Sequence, residues 1–287
     1  MSQSIEAPVV TILVRYCEIG LKSAPVRKRF EARLKENVLS MLAYDRVEAL
    51  VSQAGARMYL DTEDPEGAVR AVTRVFGIAS VSVAEHSSSA MEDICAAAEL
   101  YSRGRLPDGS SFAVRARREG SHPYTSTDVG REAGSAIYEA NKDRGIRVDL
   151  TRPDKEFYIE VRDSGAFIFD TYTNGPGGLP LGTQGKVIAN TRDDRGLLSA
   201  WLMMKRGCKA LVTEDSDLLR NYDPGLRIAE MSEAEKRDDV MGIVLGSSVA
   251  DDISSSAECR IPVYFPTIGM DDAEVSARMV SVTEGKF

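Results

Sequence analysis

Apolar residues in the first part of the chain follow two patterns: short β-branched runs, which are typical of strands, and a spacing of about four residues, which is typical of a helix. Residues 9–14 form such a run and predict a buried strand. Apolar side chains then recur every four positions, at Phe30, Leu34, Val38 and Leu42. This spacing predicts a helix over residues 25–43 that packs one face on a sheet, with Pro25 in its first turn.

Further alternation before residue 86 predicts two strands, a helix and a last strand. They lie at residues 47–51, 58–61, 65–74 and 78–84. The resulting order, strand-helix-strand-strand-helix-strand, is typical of a ferredoxin-like unit.

The middle of the chain predicts a second mixed unit. A helix at 91–102 precedes a strand at 111–118, whose period of two puts Arg115 and Arg117 on one face. The polar residues 121–128 supply caps for a helix at 129–142. Strands at 157–161 and 167–172, joined by a turn at 163–165, predict a hairpin.

A Gly/Pro-rich stretch at 174–185 separates this unit from a third, in which strands and helices alternate. The predicted strands are 187–189, 210–213, 226–230, 242–245 and 261–265, with a helix from about 271. Such alternation predicts a reduced doubly wound α/β domain. Its first strand, loop and helix form the place where these folds bind phosphate.

Composition places the chain among soluble globular proteins. Of 287 residues, 43% are hydrophobic and 28% charged, and no apolar run approaches the about 20 residues of a membrane span. The start lacks a basic region followed by an apolar stretch, so we expect a cytoplasmic protein without membrane contact.

The four cysteines are far apart in sequence: Cys17, Cys95, Cys208 and Cys259. Because no C-x-x-C pair is present, we expect reduced and mostly buried thiols, with neither a metal site nor a disulfide framework.

The net charge of −8 is unevenly distributed. Through Lys186 there are 24 basic and 26 acidic residues, a net charge of −2, and 12 against 18 after it, a net charge of −6. Local basic clusters therefore remain possible in the front two thirds, where we expect any nucleic acid to bind.

Several segments resemble one family, the tRNA 4-thiouridine synthetases or tRNA sulfurtransferases. The opening resembles theirs in RYCEIGLKSAPVRKRFEARLKENV, and the third unit in GPGGLPLGTQGKV, WLMMKRGC, GIVLGSSVADDISSS and IPVYFPTIGMDDAEV. In the middle, FAVRARREGSHPYTSTDVGREAGSAI and RVDLTRPDKEFYIEVRDSGAFIFDT resemble the THUMP domain, an RNA-binding module of tRNA-modifying enzymes.

The resemblance implies mixed α/β and α+β architecture in three domains and a linker. We expect a ferredoxin-like domain, a THUMP domain, a Gly/Pro linker and a PP-loop-like domain of the adenine nucleotide α-hydrolase type, at residues 1–86, 87–173, 174–185 and 186–287.

With the family in view, basic and aromatic residues of the first two domains are predicted to contact tRNA. They are Lys22, Arg27, Lys28, Arg115, Arg117, Arg118, Tyr124, Thr125, Ser126 and Arg131. The alternative is that the arginines pair with Glu119, Asp128 and Glu132, and that Tyr124 packs in the core.

The family's glycine-rich phosphate loop, of the form SGGxDS, is missing here. Residues Asn190, Thr191, Arg192, Asp193, Asp194, Arg195 and Gly196 stand in its place as a vestigial nucleotide site. Two carboxylates and the lack of a glycine pair oppose close wrapping of a polyanion. The insert that carries a catalytic cysteine in the family corresponds to 215–241, which has no cysteine.

Two functions remain open at this point. In the first, the chain presents tRNA to a separate sulfurtransferase or PP-loop protein, has no catalytic residues of its own and needs no cofactor. In the second, it is a divergent sulfurtransferase that uses ATP, magnesium and an external sulfur carrier. A third hypothesis, a homodimer formed through the helix around Trp201, is opposed by the usual role of such apolar stripes as core.

Overall fold

The computed structural model describes residues 10–16 and 18–287. The first unit has the predicted order of elements. They are β1 (Val10–Arg15), α1 (Ala24–Tyr44), β2 (Leu50–Ala54), β3 (Arg57–Thr62), α2 (Pro65–Val72) and β4 (Ser80–Ser87). The four-residue stripe of α1 is buried in the first core, as its period predicts.

The second unit confirms the predicted helices and hairpin. Its elements are α3 (Met91–Ser102), β5 (Ser111–Arg118), α4 (Ser126–Asn141), β6 (Arg147–Val148), β7 (Lys155–Arg162), β8 (Gly165–Phe169) and β9 (Thr173–Asn174). Helix α4 begins three residues before the predicted start, because Thr125 and Asp128 form a reciprocal capping box there. The two-residue strands β6 and β9 are too short to leave a periodic signal.

One nine-stranded sheet runs through both units. Its order is β2-β3-β1-β4-β8-β7-β5-β6, with β9 also paired to β4. Strand β4 joins the units, since its residues 80–84 pair with β1 and its residues 85–87 pair with β8. The domain division expected from the sequence therefore crosses a continuous sheet.

The two faces of this sheet are packed differently. Helices α1 and α2 contribute to the core over β1, and α3 and α4 to the core over β7 and β8. Alternation along β4 places both cores on the same face. The opposite face holds a cluster made of strand residues alone: Leu13, Tyr59, Ala84, Phe167 and Phe169.

The third unit is the predicted α/β domain. Its elements are β10 (Lys186–Ala189), α5 (Asp194–Lys205), β11 (Lys209–Val212), α6 (Asp217–Arg220), β12 (Arg227–Ile228), β13 (Val240–Val244), β14 (Val263–Tyr264) and α7 (Asp272–Glu284). All pairings are parallel, in the order β12-β11-β10-β13-β14. Strand β12 is shorter than the predicted 226–230.

Short 3-10 turns complete the described elements, at Glu18–Leu21, Lys142–Arg144, Met231–Lys236 and Ser254–Glu258.

An aromatic cluster connects the first and third units. Phe76, from the segment between α2 and β4, lies 5.4 Å between ring centroids from both Trp201 and Tyr222. Phe287 stacks on Trp201 at 5.8 Å. Trp201 is only 4% exposed, so its apolar face belongs to this chain's own core and is not available as a dimer surface.

The thiols agree in part with the sequence prediction. Cys208 is buried, which raises the pKa of its thiol, whereas Cys95 and Cys259 are half-buried and all three are free. Cys17 lies outside the described residues. Among the helices that the structure describes, none combines the length and apolar character needed to cross a bilayer.

Candidate nucleic-acid interface

A cavity of about 870 Å³ opens between α4 and the strands β5 and β7. Four of the ten residues predicted to contact RNA line it: Arg115, Arg117, Ser126 and Arg131. Three tyrosines that the sequence analysis missed line it as well: Tyr138, Tyr158 and Tyr172. We call this cavity, with its three arginines and three tyrosines, the arginine–tyrosine groove.

Strand register explains how these side chains come together. Arg115 is paired with Tyr158, and Arg117 with Glu160, so the exposed face of β5 meets the matching face of β7. Helix α4 approaches β5 closely at Gly130, where an added Cβ would lie 3.7 Å from the Val114 carbonyl oxygen. Arginines and tyrosines therefore border a gap whose lining also includes small residues of α4, such as Gly130, and apolar side chains, such as Leu150.

The arginines differ in what neutralises them. Arg115 donates to Glu156 at 2.8 Å, and Arg131 donates to Asp128 and Glu132 at 3.1 Å each. The alternative pairing expected from the sequence is thus correct for Arg131. Such solvent-exposed ion pairs contribute only about 0–1 kcal/mol, so a phosphate can replace them at little cost.

Arg117 differs from the other two arginines of the groove. Its side chain is exposed, and it forms no ion pair with any residue in the part of the chain that the structure describes. The Glu119 carboxylate, which the alternative assigned to these arginines, instead pairs with Arg162. A guanidinium without a carboxylate partner is the strongest anion-binding group in the groove.

A buried carboxylate that lines the groove forms ion pairs with three arginines. Glu160, 3% exposed, accepts from Arg15 Nε at 2.9 Å and from Arg162 Nη2 at 3.1 Å, and lies 3.5 Å from Arg57 Nε. We call these four residues the Glu160 cluster. Burial alone would raise the pKa of Glu160, but the guanidinium charges and hydrogen bonds outweigh it and lower the pKa below its usual value.

The Glu160 cluster fixes one wall of the groove. Arg15 lies 4.7 Å from the ring centroid of Phe169 and 4.6 Å from that of Tyr172, so its guanidinium contacts both rings. Arg15 comes from β1 of the first unit and Tyr172 from the second. The position of a groove tyrosine therefore depends on both units.

Three of the predicted residues lie beside the groove and have other roles. Arg118 is exposed and donates to the Gly120 carbonyl oxygen at 2.8 Å. Thr125 caps α4. Tyr124 donates to the Ser89 carbonyl oxygen and packs against the second core, which is what the alternative hypothesis expected of it.

The remaining predicted residues form a separate basic surface at the start of α1. Lys22, Arg27 and Lys28 are exposed, and within residues 10–16 and 18–287 none of them forms an ion pair. Helix α1 has no acidic residue in its first turn and no side-chain cap at Ser23. Cations near a helix N-terminus are unfavourable, because the helix dipole is positive there, so this end concentrates positive potential.

Residues 190–196, which the sequence analysis interprets as a vestigial nucleotide site, form the loop between β10 and α5. Asp193 caps α5 by accepting from the Gly196 N–H at 2.7 Å. Thr191 is buried and tied to the β11 end, where its N–H donates to Thr213 Oγ1 and its hydroxyl donates to the Glu214 carbonyl oxygen. Asn190 is half-buried, and the carboxylate of Asp194 is exposed in the first turn.

Both loop arginines are engaged elsewhere. Arg195 donates to the carbonyl oxygens of Thr267 and Met270, at 3.0 and 2.9 Å, and to Asp272 at 2.7 Å. Arg192 lies 3.6 Å from Glu214. Neither guanidinium is directed to a shared anion site by these contacts.

A second chain segment fills the space over the loop. A Cβ added at Gly246, which follows β13, would lie 2.4 Å from the Gly196 nitrogen. The two backbones are therefore in direct contact at the start of α5. In this arrangement the helix N-terminus has a carboxylate cap and a neighbouring backbone where phosphate would lie in a nucleotide-binding fold.

Comparisons with known proteins agree with this architecture. Residues 11–82 match the ThiI ferredoxin-like domain, and residues 88–170 match the THUMP domain. A probable tRNA sulfurtransferase of Methanosarcina acetivorans is 31% identical over 336 residues, covering 95% of this chain and 81% of that protein.

Two solved structures share the fold. One, from Pyrococcus horikoshii Ot3, has a TM-score of 0.81 at 28% identity and covers 96% of this chain and 99% of its own. The other is a 4-thiouridine synthetase, solved in complex with RNA and bound ATP, with a TM-score of 0.78 at 20% identity, covering 98% of this chain and 87% of its own. Together with the curated relative, these matches confirm the resemblance seen in the sequence, and the chain belongs to the tRNA sulfurtransferase family.

Proposed function

We propose that this protein binds tRNA through its first two units and presents it to a separate catalytic protein, having lost the adenylation and sulfur-transfer chemistry of its family. The observation that carries the proposal is Arg117, an exposed guanidinium without an ion pair in the described chain, in a groove that also holds three tyrosines. The fold neighbour that was solved with RNA supports a nucleic-acid ligand.

The chemistry of the groove suits an unpaired stretch of RNA. Arginines bind phosphate by charge-assisted hydrogen bonds, and tyrosine rings stack on bases that are not held in a helix. A duplex is a poorer fit, because side chains cannot read the deep, narrow major groove of A-form RNA. The basic start of α1 adds a second place for the sugar–phosphate backbone.

Two carboxylates in the third unit support the proposed loss of ATP-dependent adenylation. Asp193 already occupies the Gly196 N–H, and Asp194 adds a second negative charge at the same helix end. ATP phosphates therefore fit this loop poorly. The alignment with the curated relative runs over 336 residues, more than the 287 of this chain, so that protein carries inserted segments absent here.

The test of the RNA proposal is a filter-binding titration of unmodified tRNA at several salt concentrations. Replacing Arg115, Arg117 and Arg131 by glutamine should weaken binding at least tenfold. It should also reduce the slope of log K against log salt by about 2, because three phosphate contacts, each worth about 0.7, would be lost.

The matched control neutralises three exposed cations of the third unit: Lys236, Arg260 and Lys286. This variant has the same net charge as the groove variant and should keep the affinity and slope of the parent. Equal losses in both variants, or none in either, would remove the groove from the proposed interface.

The test of lost chemistry uses the purified full chain with tRNA, ATP and magnesium. We expect no pyrophosphate release above that of a protein-free control. We also expect no change in the thermal unfolding midpoint when about 1 mM ATP is added, because a nucleotide present well above its Kd would stabilise the folded protein. Robust pyrophosphate release would instead establish the divergent sulfurtransferase that the sequence left open.

A further inference from the structure

A second groove lies on the first unit, between the end of α1 and the strands β2 and β3. Its volume is about 600 Å³. Ten residues line it: Leu39, Leu42, Ala43, Val47, Glu48, Ala49, Leu50, Asp61, Thr62 and Glu63. We call it the acidic groove, because its lining includes three carboxylates and neither lysine nor arginine.

Apolar side chains of the acidic groove are open to solvent. Leu50 is 70% exposed and Leu39 is 44% exposed. Leu50 opens β2, which is an outermost strand of the nine-stranded sheet and has a single strand partner, β3, in the described chain. An edge strand with free backbone groups and an exposed leucine is normally covered or blocked by charge.

The carboxylates border these leucines and are not neutralised. Glu48 and Glu63 are exposed, Asp61 is half-buried, and none of the three forms an ion pair with a described residue. Within the described residues, the Asp61 carboxylate accepts a hydrogen bond from the Thr11 hydroxyl alone, at 2.6 Å. Three negative charges therefore border an apolar surface, and no cation in the part of the chain that the structure describes forms an ion pair with them.

The chain is held tightly where α1 leads into the groove. Arg46 adopts φ 59°, the left-handed region that glycine usually occupies at a helix end, and the Val47 N–H donates to the Leu42 carbonyl oxygen at 2.9 Å. A residue with a Cβ adopts this conformation only at an energetic cost, so the surrounding structure must hold it there. It places Val47 and Glu48 directly beside the apolar end of α1.

We propose that the acidic groove binds a segment of a partner protein that presents apolar side chains flanked by lysine or arginine. Leucine-sized side chains fit against Leu39 and Leu50, and the flanking cations would pair with Glu48, Asp61 and Glu63. Such pairing is favoured where opposite charges meet across an interface.

The same charges disfavour the two other obvious occupants. RNA is a polyanion and would be repelled by three unpaired carboxylates. A second copy of this chain would bring its own acidic groove to the contact, since an isologous interface uses the same patch on both subunits. A basic segment of a different protein remains as the occupant, whether or not the arginine–tyrosine groove binds tRNA.

The test uses the full chain and two labelled synthetic peptides with identical leucine positions. One carries lysine and the other glutamate at all remaining positions, and binding is followed by fluorescence anisotropy. We expect the lysine peptide to bind at least tenfold more tightly than the glutamate peptide, and Leu50→Ser to weaken it about fivefold or more. Leu100→Ser, at a comparably exposed leucine on α3, should have no effect.

A charge reversal gives the decisive comparison. Glu48→Lys with Glu63→Lys should reverse the preference between the two peptides. Glu85→Lys with Glu92→Lys changes the net charge equally, at exposed glutamates outside the groove, and should preserve it. Equal binding of both peptides, or reversal by both double variants, would overturn the proposal.

Two further outcomes would assign the groove to another occupant. Displacement of the lysine peptide by tRNA in the parent, but not in the Glu48→Lys, Glu63→Lys variant, would make it an RNA surface. A concentration-dependent dimer in sedimentation that Leu50→Ser abolishes would make it a contact between copies. Either result would overturn the proposal.

Discussion

Glu160 shows how one residue controls the charge offered at the groove. Three guanidiniums meet its single carboxylate, and Arg162 is also paired at the surface with Glu119. The cluster therefore keeps a positive excess beside Arg117 while holding β1, β3 and β7 together. Removing one partner of a buried pair is costly, because it leaves the others without compensation.

We predict that Glu160→Gln lowers the free energy of unfolding by about 3 kcal/mol, measured by urea denaturation at pH 7. Gln keeps the shape and part of the hydrogen bonding but not the charge. The control is Glu119→Gln, which removes the exposed partner of Arg162 and should cost under about 0.5 kcal/mol. Equal effects of the two substitutions would contradict a special role for the buried carboxylate.

The difference in stability between the parent protein and the Glu160→Gln variant should depend on pH. Since the folded-state pKa of Glu160 is lowered, its contribution is complete above the unfolded value of about 4.3 and is lost as the pH falls through the folded pKa. The stability difference between parent and Glu160→Gln should thus be constant from pH 5 to 8 and narrow below about pH 4. A difference that grows on acidification would show the opposite shift.

Sequence periodicity was enough to predict that Arg115 and Arg117 share a face, because alternation within a strand is local. It could not predict Glu160 as buried. Its partner Arg15 is 145 residues away in sequence and meets it only when β1 and β7 join one sheet. Tyr158 and Tyr172 were missed for the same reason.

Helix N-termini in this protein differ in whether a side chain caps them. Helices α4, α5 and α7 each begin with an acidic or hydroxyl cap that accepts a backbone N–H. Helix α1 begins without a side-chain cap and with cations nearby. An uncapped N-terminus can still accept an external anion, whereas the carboxylate cap of α5 already satisfies one of its donors.

We predict that Asp193→Ala destabilises the fold by about 1 kcal/mol, through loss of the cap on the Gly196 N–H. Urea unfolding followed by tryptophan fluorescence suits this measurement, since Trp201 lies on the same helix. Asp194→Ala is the control, because Asp194 is in the first turn but provides no cap, and its effect should be a few tenths of a kcal/mol. A larger loss from the control would indicate that charge, not capping, matters here.

Most elements were predictable because the periodic spacing of apolar residues repeats over several turns of a helix or along the length of a long strand. The caps set the boundaries that the prediction missed, as at α4, where Thr125 starts the helix before its first buried residue, Val129. Strands β6, β9 and β12 contain two residues each, which is too short for a periodic pattern. They are recognisable as strands because they pair with adjacent strands of the sheet.

On the scale of the whole molecule, the third unit shares its core with the first. Phe76 belongs by sequence to the ferredoxin-like unit, yet it is buried in one core with Trp201 and Tyr222 of the third unit and with Leu181 of the linker. Asn37 on α1 adds a hydrogen bond to the Leu181 carbonyl oxygen at 3.1 Å. A third unit without catalytic activity would thus still support the first two units by packing against them.

We predict that Phe76→Ala costs about 3–5 kcal/mol and separates the melting of the first and third units in calorimetry. Phe112→Ala is the matched control, because Phe112 is equally buried but packs only in the second core. It should lower the melting temperature without separating those two units. A single transition in Phe76→Ala, with little loss of stability, would contradict a shared core.

Strand β4 also limits how this chain can change length over evolution. Residues 80–84 of β4 pair with β1, and residues 85–87 pair with β8. Side chains along the strand alternate between the two faces of the sheet. A one-residue insertion between Ala84 and Glu85 would invert the second half and turn α3 and α4 to the opposite side of the sheet from α1 and α2. Insertions and deletions can therefore accumulate in the connecting loops, but not within this strand.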